Sequence, residues 1–189
     1  MNTKNQALIA SFLIWVVACA PACAALAEAT ALNAETTGSY PDPSESIDSS
    51  PQTTGLLVVD AAIASYELDG VLLERLADHE RIRVAAFEEE ELREAALFVG
   101  LEPGNYRVAG FRGRNSGGTY FVRASDAPMY AVIVVAGKPT YLGRFEAYAE
   151  GGQLVVSQMR RAGREPALWK AVARKYSGSS WAGLLPAGS

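Results

Sequence analysis

GLEPGNYRVAGFRG, residues 100–113, decides the fold, because it joins a turn to the start of a strand. In Glu102-Pro103-Gly104-Asn105, the proline fixes the first central dihedral, and the glycine supplies the positive φ of a type II turn. A strand is therefore predicted from residue 105 to residue 112. The segment GRNSGG, residues 113–118, then turns the chain into TYFVRAS. This part of the sequence predicts a β-hairpin.

Three further strands are predicted in MYAVIVVAGKPTYLGRFEAYAEGGQLVVSQM, residues 129–159, with turns at residues 136–139 and 150–152. Residues 129–135 are apolar on both faces, which predicts a central strand. In the next strand, alternation places Tyr141, Phe145 and Ala147 on one face, and Arg144 and Glu146 on the other. The predicted core includes Tyr106, Val108, Ile133, Val135, Tyr141 and Phe145.

Upstream, LLVVDAAIASYE at residues 56–67 and RIRVAAF at residues 81–87 read as strands. Two segments stay ambiguous. DGVLLERLADHE, residues 69–80, has apolar residues at helical spacing, and EEEELREAALFVG, residues 88–100, favours a helix by propensity but a hairpin by its β neighbours. Strands at intervals of roughly ten residues predict a mainly β protein with an antiparallel, immunoglobulin-like sandwich.

The C-terminal segment is predicted to form an amphipathic helix. Pro166 suits a first helical turn, and Gly178 follows the last one. An apolar stripe lies between them, formed by Leu168, Trp169, Val172, Ala173 and Tyr176. We expect this stripe to pack on the sheet; the alternative is a helix that binds a partner.

Two elements resemble known domains. GLEPGNYRV is similar to the L-x-P-G-x-Y element of transthyretin-like, carboxypeptidase-regulatory-like sandwich domains, in which the turn precedes a strand with a buried tyrosine. VVAGKPTYLGRF resembles the V-x-x-G-x-x-Y-x-G hairpin of small β-sandwich lipoproteins of bacterial envelopes. The resemblance implies a fold rather than a function. We place the sandwich at residues 55–160 and the helix, packed on it, at residues 161–189.

The N-terminus carries an export signal. One early lysine precedes an apolar run over residues 7–18, which is the pattern of a secretory signal peptide. Val16-Val17-Ala18-Cys19 resembles the lipobox of bacterial lipoproteins, in which the cysteine is acylated and becomes the N-terminus. Cleavage after Ala22 or after Ala27 is an alternative, and so is an uncleaved anchor over residues 7–27.

These patterns divide the N-terminal region into a signal peptide at residues 1–18 and a lipidated, disordered tether at residues 19–54. The tether is rich in Ser, Thr, Pro and acidic residues and lacks the apolar residues that a core needs. Ala20 follows Cys19 in place of an aspartate, which by resemblance to sorting in enteric bacteria implies the outer membrane. The only other cysteine is Cys23, so a mature chain that begins at Cys19 has no internal disulfide.

No sequence motif indicates catalysis, a cofactor or a metal. Nucleophile motifs, HExxH, the P-loop and the dinucleotide fingerprint are absent. His79 is interpreted as a surface residue, and the four consecutive carboxylates Glu88 to Glu91 are interpreted as a solvated face. Cys19 and Cys23 could be one ligand pair of a zinc site, but no second ligand pair follows them. We expect a non-catalytic envelope lipoprotein that binds or scaffolds another envelope component. The alternative is an enzyme whose site converges on Tyr120, Tyr130, Tyr141 and carboxylates.

The charge is unevenly distributed along the chain. Residues 1–100 hold 5 of the 17 basic and 16 of the 21 acidic residues, a net charge of −11, and the remainder carries +7. Acidic and basic strands pairing within the domain would explain this. The alternative is a basic patch that meets an envelope protein or an anionic envelope polymer; nucleic acid is not expected outside the cytoplasm. The candidate residues of this patch are Arg160, Arg161, Arg164, Lys170, Arg174 and Lys175.

Overall fold

The computed structural model describes residues 38–42, 50–124, 127–150, 153–159 and 164–186. In this part of the chain the protein is mainly β, with two sheets and a C-terminal helix. The strands are β1 (Gly55–Ile63), β2 (Glu67–Arg75), β3 (Arg81–Ala85), β4 (Ala95–Leu101), β5 (Gly104–Asn115), β6 (Gly118–Arg123), β7 (Ala131–Val134), β8 (Pro139–Glu150) and β9 (Gln153–Met159). A single 3₁₀ turn, Pro128–Tyr130, precedes β7, and the helix α1 spans Arg164–Lys175.

The two sheets differ in connectivity. The first has the order β4-β1-β8-β9, and the second has the order β3-β2-β5-β6 with β7 also paired to β5. All neighbouring strands are antiparallel except β1 and β8, which are parallel. The prediction of a purely antiparallel fold is therefore wrong at this pair. A parallel pair needs a long connection, and here the chain from β2 to β7 supplies it.

The main core lies between the two sheets. The first sheet contributes Leu57 and Val59 from β1, and the second contributes Tyr106 and Val108 from β5. The ring of Phe145 fills the centre of this core, with its centroid 5.3 Å from that of Tyr130 and 5.3 Å from that of Phe111. The predicted burial of Tyr106, Val108 and Phe145 is confirmed.

A second core lies between the first sheet and the C-terminal segment. The opposite face of β1, with Leu56 and Val58, packs against Leu168, Trp169 and Val172 of α1. Trp181 and Leu185, beyond the helix, are buried in the same cluster. Because β1 is covered on both faces, its apolar run is nearly continuous instead of alternating.

The two ambiguous segments are strand and turn. Residues 69–80 form most of β2 and its turn, and residues 88–94 form the turn that precedes β4. Leu72 and Leu73 are both buried although they lie on opposite faces of β2, which removes the alternation that marks a half-buried strand. Burial in the sheets overrides the helix propensity of both segments.

The turn before β5 differs from the prediction. Gly104 does not have a positive φ and already belongs to β5, whereas Gly100 has a φ of 74°. The register between β1 and β4 shifts at this point, since Gly55 pairs with Leu101 and Leu56 with Val99. The bend therefore lies in a bulge at the end of β4. The Tyr106 hydroxyl donates a hydrogen bond of 2.8 Å to the carbonyl of Glu102, which ties the turn to β5.

The predicted central strand is an edge strand among the described residues. β7 pairs with β5 alone, and it alternates in burial. Val134 points into the core, whereas Ile133 is 66% exposed and Val135 is 46% exposed. The prediction that Ile133 and Val135 are buried is therefore wrong, because apolar character on both faces does not distinguish a central strand from an edge.

A bulge in β8 separates residues that were predicted to share a face. Gly143 has a φ of 122°, and β8 has one extra residue opposite β1 at this point, since Val58 pairs with Tyr141 and Asp60 with Arg144. As a result Tyr141 packs on the helix side of the first sheet, whereas Phe145 lies between the sheets. The predicted common face of these two residues is wrong.

Part of the predicted tether contacts the folded domain. Tyr40 is buried, and the Ala85 N–H donates a hydrogen bond of 3.0 Å to the carbonyl of Pro41. The Gly137 N–H likewise donates to the carbonyl of Thr54, at 3.0 Å. Residues 1–37, with the predicted signal peptide and Cys19, and residues 43–49 lie outside the described residues. No helix in the described part of the chain is long and apolar enough to cross a membrane.

The core packing gives a stability prediction. Phe145→Ala removes a buried ring that contacts two other aromatic rings, and we expect it to lower the free energy of unfolding by about 3–5 kcal/mol. Ile133→Ala on the exposed edge should change it by less than about 0.5 kcal/mol. Chemical denaturation of both variants measures the difference; equal midpoints would contradict the assignment of Phe145 to the core.

Candidate functional site

The predicted basic patch around the helix is largely engaged in ion pairs within the domain. Arg174 pairs with Glu91 and Lys175 with Glu89, both in the turn before β4. Lys170 is exposed on the outer side of the helix. Arg160 and Arg161 lie outside the described residues. For Arg174 and Lys175, the structure therefore agrees with pairing of acidic and basic segments inside the domain.

Arg164, the first residue of α1, belongs to a buried cluster centred on Asp60 of β1. The Asp60 carboxylate is buried and accepts hydrogen bonds from Arg144 Nη1 at 2.6 Å and from Arg164 Nε at 3.0 Å. The Tyr141 hydroxyl also approaches this carboxylate, at 3.3 Å. Arg144 donates a further hydrogen bond of 2.6 Å to Glu94. The cluster thus joins the start of the helix to β1, β8 and the turn before β4.

Burial dominates the ionisation of this cluster. It raises the pKa of Asp60, and the positive charges of Arg144 and Arg164 only partly oppose this. Burial and the neighbouring Asp60 carboxylate also raise the pKa of Tyr141. All these groups face one another across packed elements, so we assign the cluster a role in fixing the helix on the sheet.

The tyrosines that were considered for an enzyme site do not converge. Tyr130 lies between the sheets, where its hydroxyl donates a hydrogen bond of 2.9 Å to the carbonyl of Val156. Tyr141 lies on the other face of the first sheet. Tyr120 of β6 packs edge-on against Tyr66, and their ring centroids are 4.9 Å apart. No group of three or more His, Cys, Asp or Glu side chains in the described ranges is arranged to hold a metal ion.

The outer face of the second sheet has a different character, which the sequence analysis missed. Residues two apart on one strand share a face, and the strand register aligns them in rows across the sheet. One row contains Arg81, Glu74, Arg107 and Ala131. The next contains Arg83, Leu72, Gly110 and Arg123. A third contains Ala85, Gly70, Arg112 and Phe121. We call this surface the arginine face, defined by Arg81, Arg83, Arg107, Arg112 and Arg123.

Two carboxylates are interleaved with these arginines. Glu74 is largely buried and contacts Arg107 at 3.0 Å and His79 Nδ1 at 2.6 Å. Burial acts to raise the pKa of Glu74, but its hydrogen bonds with His79 and Arg107 outweigh burial, so the pKa lies below its ordinary value. Asp69 lies 2.5 Å from Arg112 Nε. Arg107 and Arg112 of β5 are thus each paired with a carboxylate of β2.

The segment before the domain reaches this same surface. The Tyr40 ring lies over Gly70, where any side chain would overlap it, and the Arg112 guanidinium stacks on that ring with its carbon 3.5 Å from the centroid. This is the geometry of a cation–π contact. The predicted tether therefore meets the domain on the arginine face.

Arg83 is partly buried on the arginine face. Its Nε is inaccessible to solvent and has no hydrogen-bond partner among the described residues, and the Nε of Arg112 has no hydrogen bond there either, although Asp69 lies close to it. A buried guanidinium nitrogen without a hydrogen bond is unfavourable by itself. The alternation of Arg81 and Arg83 in RIR was a usable sequence signal. The rest of the face is assembled from strands that are distant in sequence.

A trough adjoins the arginine face at the end where β7 pairs with β5. It has a volume of about 580 Å³, with Leu76 and Ala77 on one side and Ala131 and Ile133 on the other. Asn105 connects the two sides of the trough. The carbonyl of Asn105 accepts a hydrogen bond of 2.9 Å from the Leu76 N–H, and Asn105 pairs with Ile133 across the sheet. The exposed side chains of Leu76 and Ile133 make the trough mostly apolar.

Comparisons with known proteins do not identify a family. No family model matches the chain, and no curated protein matches it. Similar solved structures include a candidate cell adhesion protein of Bacteroides fragilis, with 14% identity over 58% of this chain and 46% of that one, and a TM-score of 0.36. A leucine-rich repeat protein of Bacteroides thetaiotaomicron shows 13% identity over 66% of this chain and 16% of that one, with a TM-score of 0.31. The chain spans less than half of either protein.

The Asp60 cluster gives a second stability prediction. Asp60→Ala leaves the buried Arg144 and the adjacent Arg164 without this carboxylate, and we expect a loss of about 3–5 kcal/mol in the free energy of unfolding. Glu91→Ala removes an exposed pair with Arg174 and should cost no more than about 1 kcal/mol. Urea denaturation monitored by tryptophan fluorescence compares the two; an equal, small effect would exclude a structural role for the cluster.

Proposed function

We propose that this protein is a non-catalytic lipoprotein of a bacterial cell envelope, in which acylated Cys19 anchors a β-rich domain that binds or scaffolds another envelope component. The binding role is carried by one observation, the arginine face. The outer face of the first sheet is covered by α1, whereas the outer face of the second sheet carries five arginines, of which Arg112 is stacked on Tyr40, and an apolar trough. A basic, partly apolar sheet face is the kind of surface that protein partners use.

The anchor is supported by the lipobox-like residues 16–19 and by the composition of the segment that follows them. We assign the protein to the outer membrane because Ala20 stands where an aspartate would act as a retention signal. A membrane-anchored domain with a tether can reach a partner in the surrounding envelope. The export signal also makes nucleic acid an improbable ligand for the basic surface.

The transthyretin-like type of the domain is a further part of the proposal. It rests on the L-x-P-G-x-Y element, whose Leu101, Pro103, Gly104 and Tyr106 stand in the required order. Tyr106 is fully buried in the strand that follows the turn, as this resemblance implies. The resemblance concerns the fold and carries no argument for a particular function.

The anchor is tested at the mature N-terminus. In a bacterial host that processes lipoproteins, we expect intact-mass analysis to find a chain that begins at an acylated Cys19. Cys19→Ala should shift the protein from the membrane fraction to the soluble fraction, because the lipid attachment is lost. Cys23→Ala is the matched control and should fractionate like the wild type. An unmodified start at Cys23 or Glu28, or a retained Met1, would contradict the proposal.

The partner surface is tested by position-specific cross-linking. A photoreactive amino acid at Ala131, an exposed position beside Arg107, should form adducts with an envelope component in intact cells. The same amino acid at Lys170, exposed on the helix, should form several-fold fewer adducts, because α1 faces away from the proposed surface. Equal adduct yields at both positions would argue against the arginine face as the partner surface.

A further inference from the structure

The outer edge of β7, which we call the free edge, has no neighbouring strand in the described part of the chain. β7 pairs with β5 on one side only. The carbonyl of Asn105 accepts a hydrogen bond from the Leu76 N–H, so the backbone polar groups of Asn105 point towards β2. Ile133 lies opposite Asn105 in the pair of β5 and β7. Because hydrogen-bonded and non-hydrogen-bonded pairs alternate along an antiparallel ladder, the N–H and C=O of Ile133 point to the free edge.

The free edge lacks the features that protect most sheet edges. Edge strands usually carry charged side chains, proline or a bulge, which prevent pairing with another strand. β7 has none of these, and no charged residue occurs at residues 127–137. β3, at the opposite edge of the same sheet, carries Arg81 and Arg83, and its Ala85 N–H donates to the carbonyl of Pro41. The short length of β7, four residues, is what limits strand pairing at the free edge.

Exposed apolar side chains are concentrated at the same place. Seven large apolar side chains are exposed among the described residues, and Ile133 is the most exposed of them. Met129 and Val135, which flank β7, belong to this group, and so does Leu76, which lies across the trough from Ile133. Because four of the seven adjoin the free edge, they form a local apolar patch of the kind that marks an interaction surface.

A second copy of this chain is the partner that the free edge fits. A two-fold interface brings the same surface of both copies together. With Ile133 on the axis, antiparallel pairing places the two Ile133 residues opposite each other and Ala131 opposite Val135 of the second copy. Like charges that face each other destabilise a strand pair, and this register brings none together. The nearest cation, Lys138, falls opposite Pro128 of the second copy.

We propose that the free edge is a homodimer interface, in which the β7 strands of two copies pair antiparallel about a two-fold axis at Ile133. The two Ile133 residues exchange both of their backbone hydrogen bonds. Since β7 is short, the exposed side chains of Ile133, Ala131 and Val135 from both copies supply most of the binding energy by burial. This inference goes beyond the proposed function, because it concerns a second copy and not another envelope component.

Disulfide formation tests the interface and its register. The starting protein is the full chain with Cys19→Ala and Cys23→Ala, purified in detergent, which has no native thiol. In this background Ile133→Cys should form a disulfide-linked dimer on mild oxidation, because the two residues lie opposite each other. Ala131→Cys alone should stay monomeric. Its two copies would lie about 13 Å apart along the strands, whereas a disulfide needs Cα atoms within about 7 Å.

A mixed sample and a distant position are the controls. Ala131→Cys chains mixed with Val135→Cys chains should give a disulfide between one chain of each kind, because the register pairs these positions. Lys170→Cys, exposed on α1, should stay monomeric, which separates the interface from two chains that share a detergent micelle. Equal dimer yields at positions 133 and 170 would overturn the inference, and so would self-cross-linking of Ala131→Cys.

A charge on the axis should break the dimer. Ile133→Lys places two like charges opposite each other, and we expect sedimentation velocity to show at least about tenfold weaker association, with Lys170→Gln unchanged. The thermal midpoint of the wild type should rise with protein concentration, and that of Ile133→Lys should not. The small effect of Ile133→Ala on unfolding applies to the monomer, below the dissociation constant. A wild type that stays monomeric, or a dimer that survives Ile133→Lys, would contradict the interface.

The photoreactive amino acid at Ala131 separates this inference from the proposed function. An adduct with twice the mass of the chain comes from a second copy and supports the dimer. An adduct of another mass comes from a different component and supports the proposed partner surface. If only the second kind forms and Ile133→Cys gives no disulfide, the dimer alone is overturned. If only the first kind forms, the dimer stands and the proposed partner surface is overturned.

Discussion

The burial of β1 on both faces is the constraint on which the rest of the structure depends. Its odd-numbered residues from Leu57 onwards pack against the second sheet, and its even-numbered residues pack against α1. One strand therefore holds three layers together. Asp60 is the only charged residue of this strand, and because it is buried it must be matched by cations. Arg144 and Arg164 meet that need from β8 and from the first turn of the helix.

This arrangement leaves the two outer faces of the domain unlike each other. The first sheet is covered by the aromatic and aliphatic stripe of α1, and the buried charges of Asp60 and Arg144 are paired with each other within the domain. The second sheet has no helix over it in the described part of the chain, so its outer face carries long, charged side chains. Arginine stems can shield the sheet backbone and Leu72, which is buried although it lies on this face. The contrast between the faces is the physical reason for placing the partner on the second sheet.

Much of the fold could be predicted from the sequence, because the turns and the periodicity of single strands are local signals. The hairpin from β5 to β6 followed from the glycine-rich segment 113–118, and the burial of Tyr106 followed from the L-x-P-G-x-Y resemblance. The predictions that were wrong depend on how segments that are distant in sequence pair in the sheets. The bulge at Gly143 moves Tyr141 to another face, and the edge position of β7 exposes Ile133. No local sequence pattern determines which strands pair with each other.

The sequence did not predict the arginine face for the same reason. It did predict the basic patch around the helix, because the basic residues of that patch are close in sequence. The face draws on β3, β5 and β6, so its residues meet only through the register of the sheet. In the predicted patch, by contrast, Arg174 and Lys175 lie opposite acids of the turn before β4, where exposed pairs contribute little to stability. A cluster of basic residues in the sequence thus indicates local charge, whereas the sheet register brings together basic residues that are distant in the sequence.

The position of Tyr40 links the proposed anchor to the proposed binding surface. Tyr40 stacks on Arg112, so residues 38–42 reach the domain at the arginine face. About 20 residues separate the two positions, and a fully extended chain of that length spans at most about 70 Å. With Cys19 acylated, the arginine face would stay within that distance of the bilayer whatever the orientation of the domain. A partner that binds this face would have to lie within the same distance of the bilayer, and the tether would raise the effective concentration of the two for each other.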